Sequence, residues 1–366
     1  MNSTERTQIM QRWTTVQQEL IPKLWQEEGV LTPKLEKLIH IIEWVRIEEF
    51  VAVSWCGIGR PPHDRGALAT AFVAKAVLGL TTTTALIERL HMDRALRRIC
   101  GFSLWKKLPT ESSFSRAFAE FSQQKLAERT HEVFVRTQLG TALIGHISRD
   151  GTAIEAREKP EKSAKPEAKK KHKRGRPRLS EIRETKQNVI QQQLTQPLAE
   201  IVAALPKACD RGVKCNAQGY KNSWNGYKLH LDTADCGIPV SALLTSASVH
   251  DSQVAVPLSL MTAKRVTHLY DLMDAAYCSE ALRIHSRSLG HVPLIDHNPR
   301  GGEKQPFALH EAQRYQERTQ AERTNGRLKD DFGGRHIRVK GHAKVMSHLM
   351  FGLLALSAEQ WMRLRI

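Results

Sequence analysis

The sequence lacks the features that mark secreted, membrane-spanning and zinc-stapled proteins. Its six cysteines include no C-x-x-C pair, so neither a zinc ribbon nor a dense disulfide framework is indicated, and a reducing compartment fits. The first ten residues contain no apolar segment, so we expect no signal peptide. The longest apolar run, 345–356, is interrupted by Ser347 and His348 and is too short to span a bilayer. These absences predict a cytoplasmic protein that does not enter a membrane.

What the chain has in excess is positive charge. Its 366 residues carry a net charge of +17, with a pI near 9.8, which favours polyanionic partners such as nucleic acid. Residues 157–178 alone contain eleven Lys or Arg and three Glu, which is almost half of the excess. The low hydrophobicity and the prolines of this segment predict an insertion that is disordered without a partner.

The end of this basic segment has a recognisable pattern. The residues Lys173-Arg174-Gly175-Arg176-Pro177-Arg178 resemble an AT-hook, whose Gly-Arg-Pro core lies extended in the narrow minor groove of A·T-rich DNA. A narrow minor groove has enhanced negative potential and attracts inserted arginines, so Arg174, Arg176 and Arg178 are candidate DNA contacts. A nonspecific solvated basic linker is an equally good interpretation.

Two regions follow from the hydrophobic periodicity. Residues 1–138 show apolar residues at three- and four-residue spacing and are predicted to form a helical domain. Within it, residues 89–118 predict one helix that ends at Gly101 and another that starts after Thr110. With six basic residues nearby, the pair is either a helix-turn-helix that touches DNA or a helical hairpin with a solvated basic face.

Residues 139–366 change to short β-branched runs and helices. We predict strands over 143–149, 227–233, 238–245, 268–273 and 292–295, helices over about 309–331 and 343–365, and a basic, flexible insertion around 157–215. Three antiparallel strands followed by strands that alternate with helices give an α/β fold class. This order resembles an RNase H-like mixed sheet flanked by helices, preceded here by the all-helical region.

Three acidic residues are candidates for chemistry. Asp150 ends the first strand in "HISRDGTAIEA", and Asp274 ends a later strand in "LYDLMDAAYCSEAL". The third, Glu322, lies in "YQERTQAERTNGRLK", where Tyr315, Arg318, Glu322 and Lys329 fall within an arc of roughly 60° on a helix. Three neighbouring aspartates remained as alternatives for ligation: Asp232, Asp251, which we expect to cap the next helix, and Asp271, which ranks second to Asp274.

The spacing Tyr315-x2-Arg318-x3-Glu322-x6-Lys329 resembles the Y-R-E-K signature of insertion-sequence transposases with an Asp, Asp, Glu site. Weaker similarity covers "RDGTAIEA", "SVHDSQVAVPL" and "DAAYCS". The resemblance implies that Asp150, Asp274 and Glu322 bind two Mg²⁺ or Mn²⁺ ions and are catalytic. It also implies that Tyr315, Arg318 and Lys329 contact the DNA backbone near the scissile phosphate.

In this family the enzyme cuts the ends of its element and joins them to target DNA. The implied partners are therefore double-stranded DNA, as terminal inverted repeats and target, and a second copy of the chain in a homodimer. The implied location is cytoplasmic and associated with the nucleoid. Two other functions stay open: an inactive or domesticated DNA-binding regulator, and a plain metal-dependent nuclease.

Overall fold

The computed structural model describes residues 14–52, 61–160, 188–215, 218–299 and 302–365. The region before the first strand is helical, as predicted, and also contains a short π-helix at Val16–Leu20 and a 3-10 helix at Ile47–Phe50. Its α-helices are α1 (Ile21–Glu28), α2 (Pro33–Val45), α3 (Arg65–Val77), α4 (Thr83–Met92), α5 (Arg94–Ile99), α6 (Glu111–Gln123) and α7 (Leu126–Leu139).

Local sequence signals explain where these helices begin. The Asp64 carboxylate accepts a hydrogen bond from the Ala67 amide at 3.1 Å, which caps α3. The Thr82 hydroxyl accepts one from the Ala85 amide at 3.0 Å and caps α4 in the same way. The helix predicted to start after Thr110 is confirmed, since α6 begins at the next residue.

In residues 89–118 the helices α5 and α6 are separated by residues 100–110, close to the boundaries predicted at Gly101 and Thr110. Two of the basic residues are engaged within the protein: the Arg98 guanidinium pairs with Glu28 at 2.8 Å, and Arg97 donates to the Ser103 carbonyl at 2.8 Å. The helix-turn-helix that touches DNA and the helical hairpin with a solvated basic face both stay predictions.

The second region is a mixed α/β structure built on a six-stranded sheet, and all five predicted strands are present. Its strands are β1 (Leu143–Glu155), β2 (Asp210–Cys215), β3 (Lys221–Ala234), β4 (Pro239–Ser246), β5 (Thr267–Met273) and β6 (Val292–Ile295). Its α-helices are α8 (Val189–Gln193), α9 (Leu198–Ala204), α10 (Ala255–Ala263), α11 (Glu280–Ser288), α12 (Leu309–Gln316), α13 (Thr319–Asp330) and α14 (His342–Arg363).

The strand order is β2-β3-β1-β5-β6, with β4 paired to the second half of β3. The strand β1 runs antiparallel to β3 and parallel to β5, and β5 runs parallel to β6. The carboxyl end of β5 lies beside Arg149 of β1, and β1 continues past this point to Glu155, paired with β3. Helices cover both faces: α10 packs against β3 and β4 on one face, and α13 packs against β1 and β3 on the other.

Two sequence predictions need correction here. The insertion predicted as flexible over 157–215 is folded at its end, since 188–215 contains α8, α9 and the edge strand β2. The predicted continuous helix over 309–331 is divided into α12 and α13 at residues 317–318. At this point the amides of Glu317 and Arg318 bond to carbonyls three residues back, as in a 3-10 turn, and not four.

The long helix α14 joins the two regions into one hydrophobic core. Its side chains are buried on nearly all sides, and they pack against α2, α3, α6, α7 and β4. Trp361 of α14 contacts Trp44 with ring centroids 6.5 Å apart, and Phe351 contacts Phe72 at 5.7 Å. The helical region and the sheet therefore share apolar contacts along the whole length of α14. Among the described helices, none has the length and apolarity needed to cross a bilayer.

Candidate active site

Asp150 and Asp274 lie side by side at the edge where β1 and β5 meet. The parallel register pairs Arg149 with Met273, so the next residue on each strand is one of the two aspartates. Side chains at matching positions of parallel strands point to the same face of a sheet. The sequence predicted that both residues end strands. This is correct for Asp274, which follows the last residue of β5, but Asp150 lies within β1, which continues to Glu155 because residues 150–155 pair with β3.

The electrostatics of the two carboxyl groups show that they are close and partly buried. Burial, together with the charge of the neighbouring Asp274, raises the pKa of Asp150 to about 6, while Arg318 and Lys214 oppose the shift. Burial likewise raises the pKa of Asp274, and the charge of Asp251 adds to this. Both carboxylates would therefore be stabilised by an added positive charge.

The signature helix lies across this edge and contacts both strands. The Asn325 amide of α13 donates to Asp150 Oδ2 at 2.9 Å, and Lys329 Nζ donates to the Thr152 hydroxyl of β1 at 2.6 Å. In α12, the Tyr315 hydroxyl donates to the carbonyl of Met273, the residue before Asp274, at 3.2 Å. Residues 315–329 are therefore held against β1 and against the end of β5.

Glu322 lies between these contact points but does not touch either aspartate. It is 55% exposed, and its Oε1 accepts a hydrogen bond from Arg318 Nη2 at 2.6 Å. Within the described ranges, no group of three or more His, Cys, Asp or Glu side chains is close enough to hold a metal ion. The structure brings Asp150 and Asp274 together, and Glu322 stands one helical turn before Asn325 with its carboxylate turned to Arg318.

A buried ion pair supports the floor of the site. The Arg149 guanidinium, which is 2% exposed, donates to both carboxylate oxygens of Asp232 at 2.7 Å and to the Met273 sulfur at 3.3 Å. It thus links β1, β3 and β5 directly beside the residues that carry Asp150 and Asp274. Thr262 of α10 also donates to Asp232, at 2.7 Å.

The three alternative aspartates are occupied elsewhere. Asp232 is fully buried in the ion pair just described. Asp271 points to the opposite face of the sheet from Asp274, where it accepts hydrogen bonds from Ser286 at 2.5 Å and His268 at 3.1 Å. The cap expected from His250-Asp251 is formed by His250, which is the N-cap residue of the short 3-10 helix at Asp251–Gln253 and accepts a hydrogen bond from the Ser252 amide at 3.4 Å.

Asp251 instead packs under the first strand. Its Oδ1 pairs with Lys228 Nζ at 3.1 Å, and a Cβ atom added to Gly151 would lie only 2.7 Å from the same oxygen. The glycine that follows Asp150 is thus required by the close approach of Asp251. The Asp251 carboxylate thus occupies the space that a side chain at position 151 would need.

Two functional candidates were missed by the sequence reasoning. Asn325, which contacts Asp150, lies one turn after Glu322, and this i, i+3 spacing was the available signal. Lys214 of β2 is close enough to lower the pKa of both aspartates, but it falls in the segment predicted to be flexible. Arg174, Arg176 and Arg178 of the AT-hook-like motif lie outside the described residues.

Two protein-family models match the chain. Residues 205–358 match a family described as Transposase DDE domain, and residues 25–120 match one described as Transposase domain (DUF772). The first match spans Asp274, Glu322 and the signature helices, and it begins after Asp150. No curated protein matches the chain. Since both matched families are transposase domains, the matches support a DNA transposase of an insertion-sequence family.

Proposed function

We propose that the protein cuts DNA at the ends of an insertion sequence and joins those ends to target DNA, on an RNase H-like fold, with Asp150, Asp274 and Glu322 as its catalytic acids. The observation that carries the proposal is that Asp150, within β1, and Asp274, at the end of β5, occupy neighbouring positions beneath α13. A buried pair of carboxyl groups with raised pKa values is unfavourable unless positive charge compensates it.

The residues fit divalent cations. Carboxylate oxygens are hard ligands that suit Mg²⁺ or Mn²⁺ and not zinc. When bound, two such ions activate the attacking oxygen and stabilise the leaving oxygen of a phosphodiester. Asp150 and Asp274 would hold these ions. Glu322 would complete the ligand set once its carboxylate leaves Arg318 and binds the ions.

Arg318 has a second role in this scheme. It is 17% exposed and lies near both Asp150 and Glu322, so it neutralises the acids while no DNA is bound. Once Glu322 turns to the cations, the guanidinium is released to contact a phosphate oxygen at the strand to be cut. Arg318 thereby changes from an internal partner to a DNA contact.

Lys329 and Tyr315 keep the helices in place. Burial lowers the pKa of Lys329, and its ammonium bonds to Thr152, two residues beyond Asp150. Tyr315 anchors α12 to the end of β5 through the Met273 carbonyl and packs on Phe307 with ring centroids 4.8 Å apart. Both groups lie next to the acids and can also reach the DNA backbone there.

The test is cleavage of duplex DNA that carries the inverted repeats flanking the coding region. We expect strand cutting and joining only with Mg²⁺ or Mn²⁺, and loss of both in Asp150→Ala, Asp274→Ala and Glu322→Ala with DNA binding retained. The matched control is Asp331→Ala, an exposed acid at the end of α13 that is 60% accessible. Persistent cutting in the three variants would contradict the assignment.

The same assay distinguishes a transposase from the two other functions, a DNA-binding regulator and a plain nuclease. Binding to the repeats without cutting under any divalent cation would identify a DNA-binding regulator. Cutting without joining would identify a plain nuclease, because the two reactions use the same acids. We further propose that the synaptic complex is a homodimer, since two element ends must be held together; light scattering with and without the repeat DNA tests this.

A further inference from the structure

A groove of about 470 Å³ lies between the helical region and the start of α14, apart from the candidate active site. One wall is formed by α3, the residues before α4 and the first turns of α6. The other wall is formed by the segment that follows β1 and by the residues that lead into α14. None of the acids or signature residues lines it.

The groove is strongly basic. Five cationic side chains and one carboxylate line it, which gives a net charge of +4. The five cations form no ion pair with any residue that the structure describes. Their charge is therefore available to an anion that enters from solvent. The lining charges are Lys75, Arg157, Arg338, Lys340, Lys344 and Glu111.

Lys75 is the unusual member of this set. It lies in the last turn of α3, is only 8% exposed, and lines both the groove and an apolar recess behind it. Burial lowers its pKa to about 8, so the ammonium is still mostly protonated at pH 7. A buried ammonium without a partner is unfavourable, and an anion in the groove would remove this penalty.

No neighbouring group compensates Lys75. His348 lines the same groove, but burial lowers its pKa to about 4, so it is neutral, and its Nε2 bonds to the Gly333 carbonyl at 3.0 Å. The single carboxylate, Glu111, accepts a hydrogen bond from the Thr84 hydroxyl at 3.2 Å at the rim.

Three helices also begin at the groove. Residues of the first turn of α4, α6 and α14 line it, and α6 and α14 start without a side-chain cap. The amino end of a helix carries partial positive charge and free amide donors. The helix ends therefore add to the attraction that the lysines and arginines exert on an anion.

We propose that this groove binds the phosphodiester backbone of double-stranded DNA, with Lys75 at its floor and Arg338, Lys340 and Lys344 along its rim. The inference rests on the proposed function, which supplies DNA as the substrate. A backbone fits better than a small anion because the cations are spread from a buried floor to exposed positions along an open groove.

The position of the groove indicates its use. Arg157 lies two residues beyond the end of β1, and the strand from Asp150 to Glu155 spans roughly 17 Å at ~3.3 Å per residue. That distance corresponds to about five base pairs of duplex. The groove thus holds DNA at a phosphate remote from the cut and fixes the register of the duplex across the active site.

The first experiment measures the salt dependence of binding to the duplex repeats by fluorescence anisotropy. We expect the double variant Arg338→Ala/Lys340→Ala to reduce the slope of log K against log salt by about 1.8, since each lost phosphate contact removes about 0.9. The control Lys264→Ala, an exposed lysine after α10, should leave the slope unchanged. An unchanged slope in the double variant would overturn the proposal.

The second experiment uses Lys75→Met, which keeps the aliphatic stem and removes the charge. We expect a higher melting temperature without DNA, because an uncompensated buried charge is lost, together with a DNA affinity at least tenfold weaker. A lower melting temperature with unchanged affinity would show a structural lysine and would refute the DNA contact. Circular dichroism confirms that the variant is folded.

Inorganic phosphate serves as the small-anion probe. We expect millimolar phosphate to stabilise the wild-type protein only slightly, and less in Lys75→Met. Saturation of the groove at micromolar phosphate would identify a small-anion site and overturn binding of the backbone. If the wild-type protein cuts the DNA and the groove variants bind it normally, only the inference about the groove is refuted. If the groove variants bind DNA weakly but the wild-type protein does not cut it, only the catalytic assignment is refuted.

Discussion

Replacement of Asp150 by asparagine should stabilise the metal-free protein. The carboxyl group is partly buried next to Asp274, and both circumstances raise its pKa to about 6. Ionisation therefore costs more in the folded protein than in the unfolded chain. Asparagine has nearly the same shape, carries no charge, and can still accept the hydrogen bond that the Asn325 amide donates at 2.9 Å.

The size of this stabilisation follows from the shift in the pKa of Asp150. The pKa rises from 3.8 to about 6, roughly two units, and each unit corresponds to about 1.4 kcal/mol, so the penalty approaches about 3 kcal/mol at high pH. The carboxyl group destabilises the fold only where it is ionised. The penalty is thus absent below about pH 4, grows as the pH rises through 6, and is complete above about pH 7.

The assay is thermal unfolding in EDTA from pH 4 to pH 8. An unfolding entropy of about 2.1 cal/mol/K per residue, taken over the whole chain, converts 3 kcal/mol into a melting temperature about 4 °C higher for Asp150→Asn at pH 8. At pH 4 the variant and the wild-type protein should have the same melting temperature. The control Asp331→Asn, at an exposed position, should show no pH-dependent difference.

With added Mg²⁺, the wild-type protein should become more stable than Asp150→Asn. The cation binds the wild-type pair of carboxylates and stabilises the folded state in proportion to its concentration over its dissociation constant, whereas the variant has lost a ligand. A variant that is less stable than the wild type in EDTA at pH 8 would refute the reasoning, because it would show that the two carboxyl groups do not repel each other.

Other substitutions test the supports of the site. Arg149→Met leaves its carboxylate partner buried without a cation, so urea unfolding should show a loss of about 3 to 5 kcal/mol, and a loss below about 1 kcal/mol would argue against the ion pair. Gly151→Ala places a methyl group 2.7 Å from Asp251 Oδ1, so the same measurement should show a loss of about 1 to 3 kcal/mol. Asn325→Ala removes the hydrogen bond to Asp150 and should slow single-turnover cleavage roughly tenfold with DNA binding unchanged; an unaltered rate would exclude a positioning role.

The elements with strong periodic patterns were predictable from the sequence. The strands β1 and β5 and the hairpin of β3 and β4 follow from short β-branched runs, although β1 continues to Glu155 beyond its predicted end. The last helix follows from its apolar spacing. Their order also predicted a mixed α/β sheet. The edge strand β2 was missed because its residues, such as Lys214, are mostly polar and exposed and give no alternating pattern.

The site was predictable in its residues but not in its present geometry. The two aspartates meet because the parallel pairing places the end of β5 beside Arg149 of β1, and strand pairing cannot be deduced from either segment alone. The helical spacing placed Glu322 on the same face as Lys329, yet it could not show that Arg318 would take the glutamate as its partner. The helix is also divided before Thr319, so Tyr315 belongs to a separate segment.

The burial of α14 on all sides has a consequence for synthesis of the protein. Every other described element precedes α14 along the chain, so a ribosome must deliver this helix before the first helices can close over their apolar faces. A product that stops short of His342 leaves Trp44 and Phe72 without Trp361 and Phe351. Prematurely terminated chains should therefore aggregate or be degraded, and the helical region should not accumulate as an independent DNA-binding fragment.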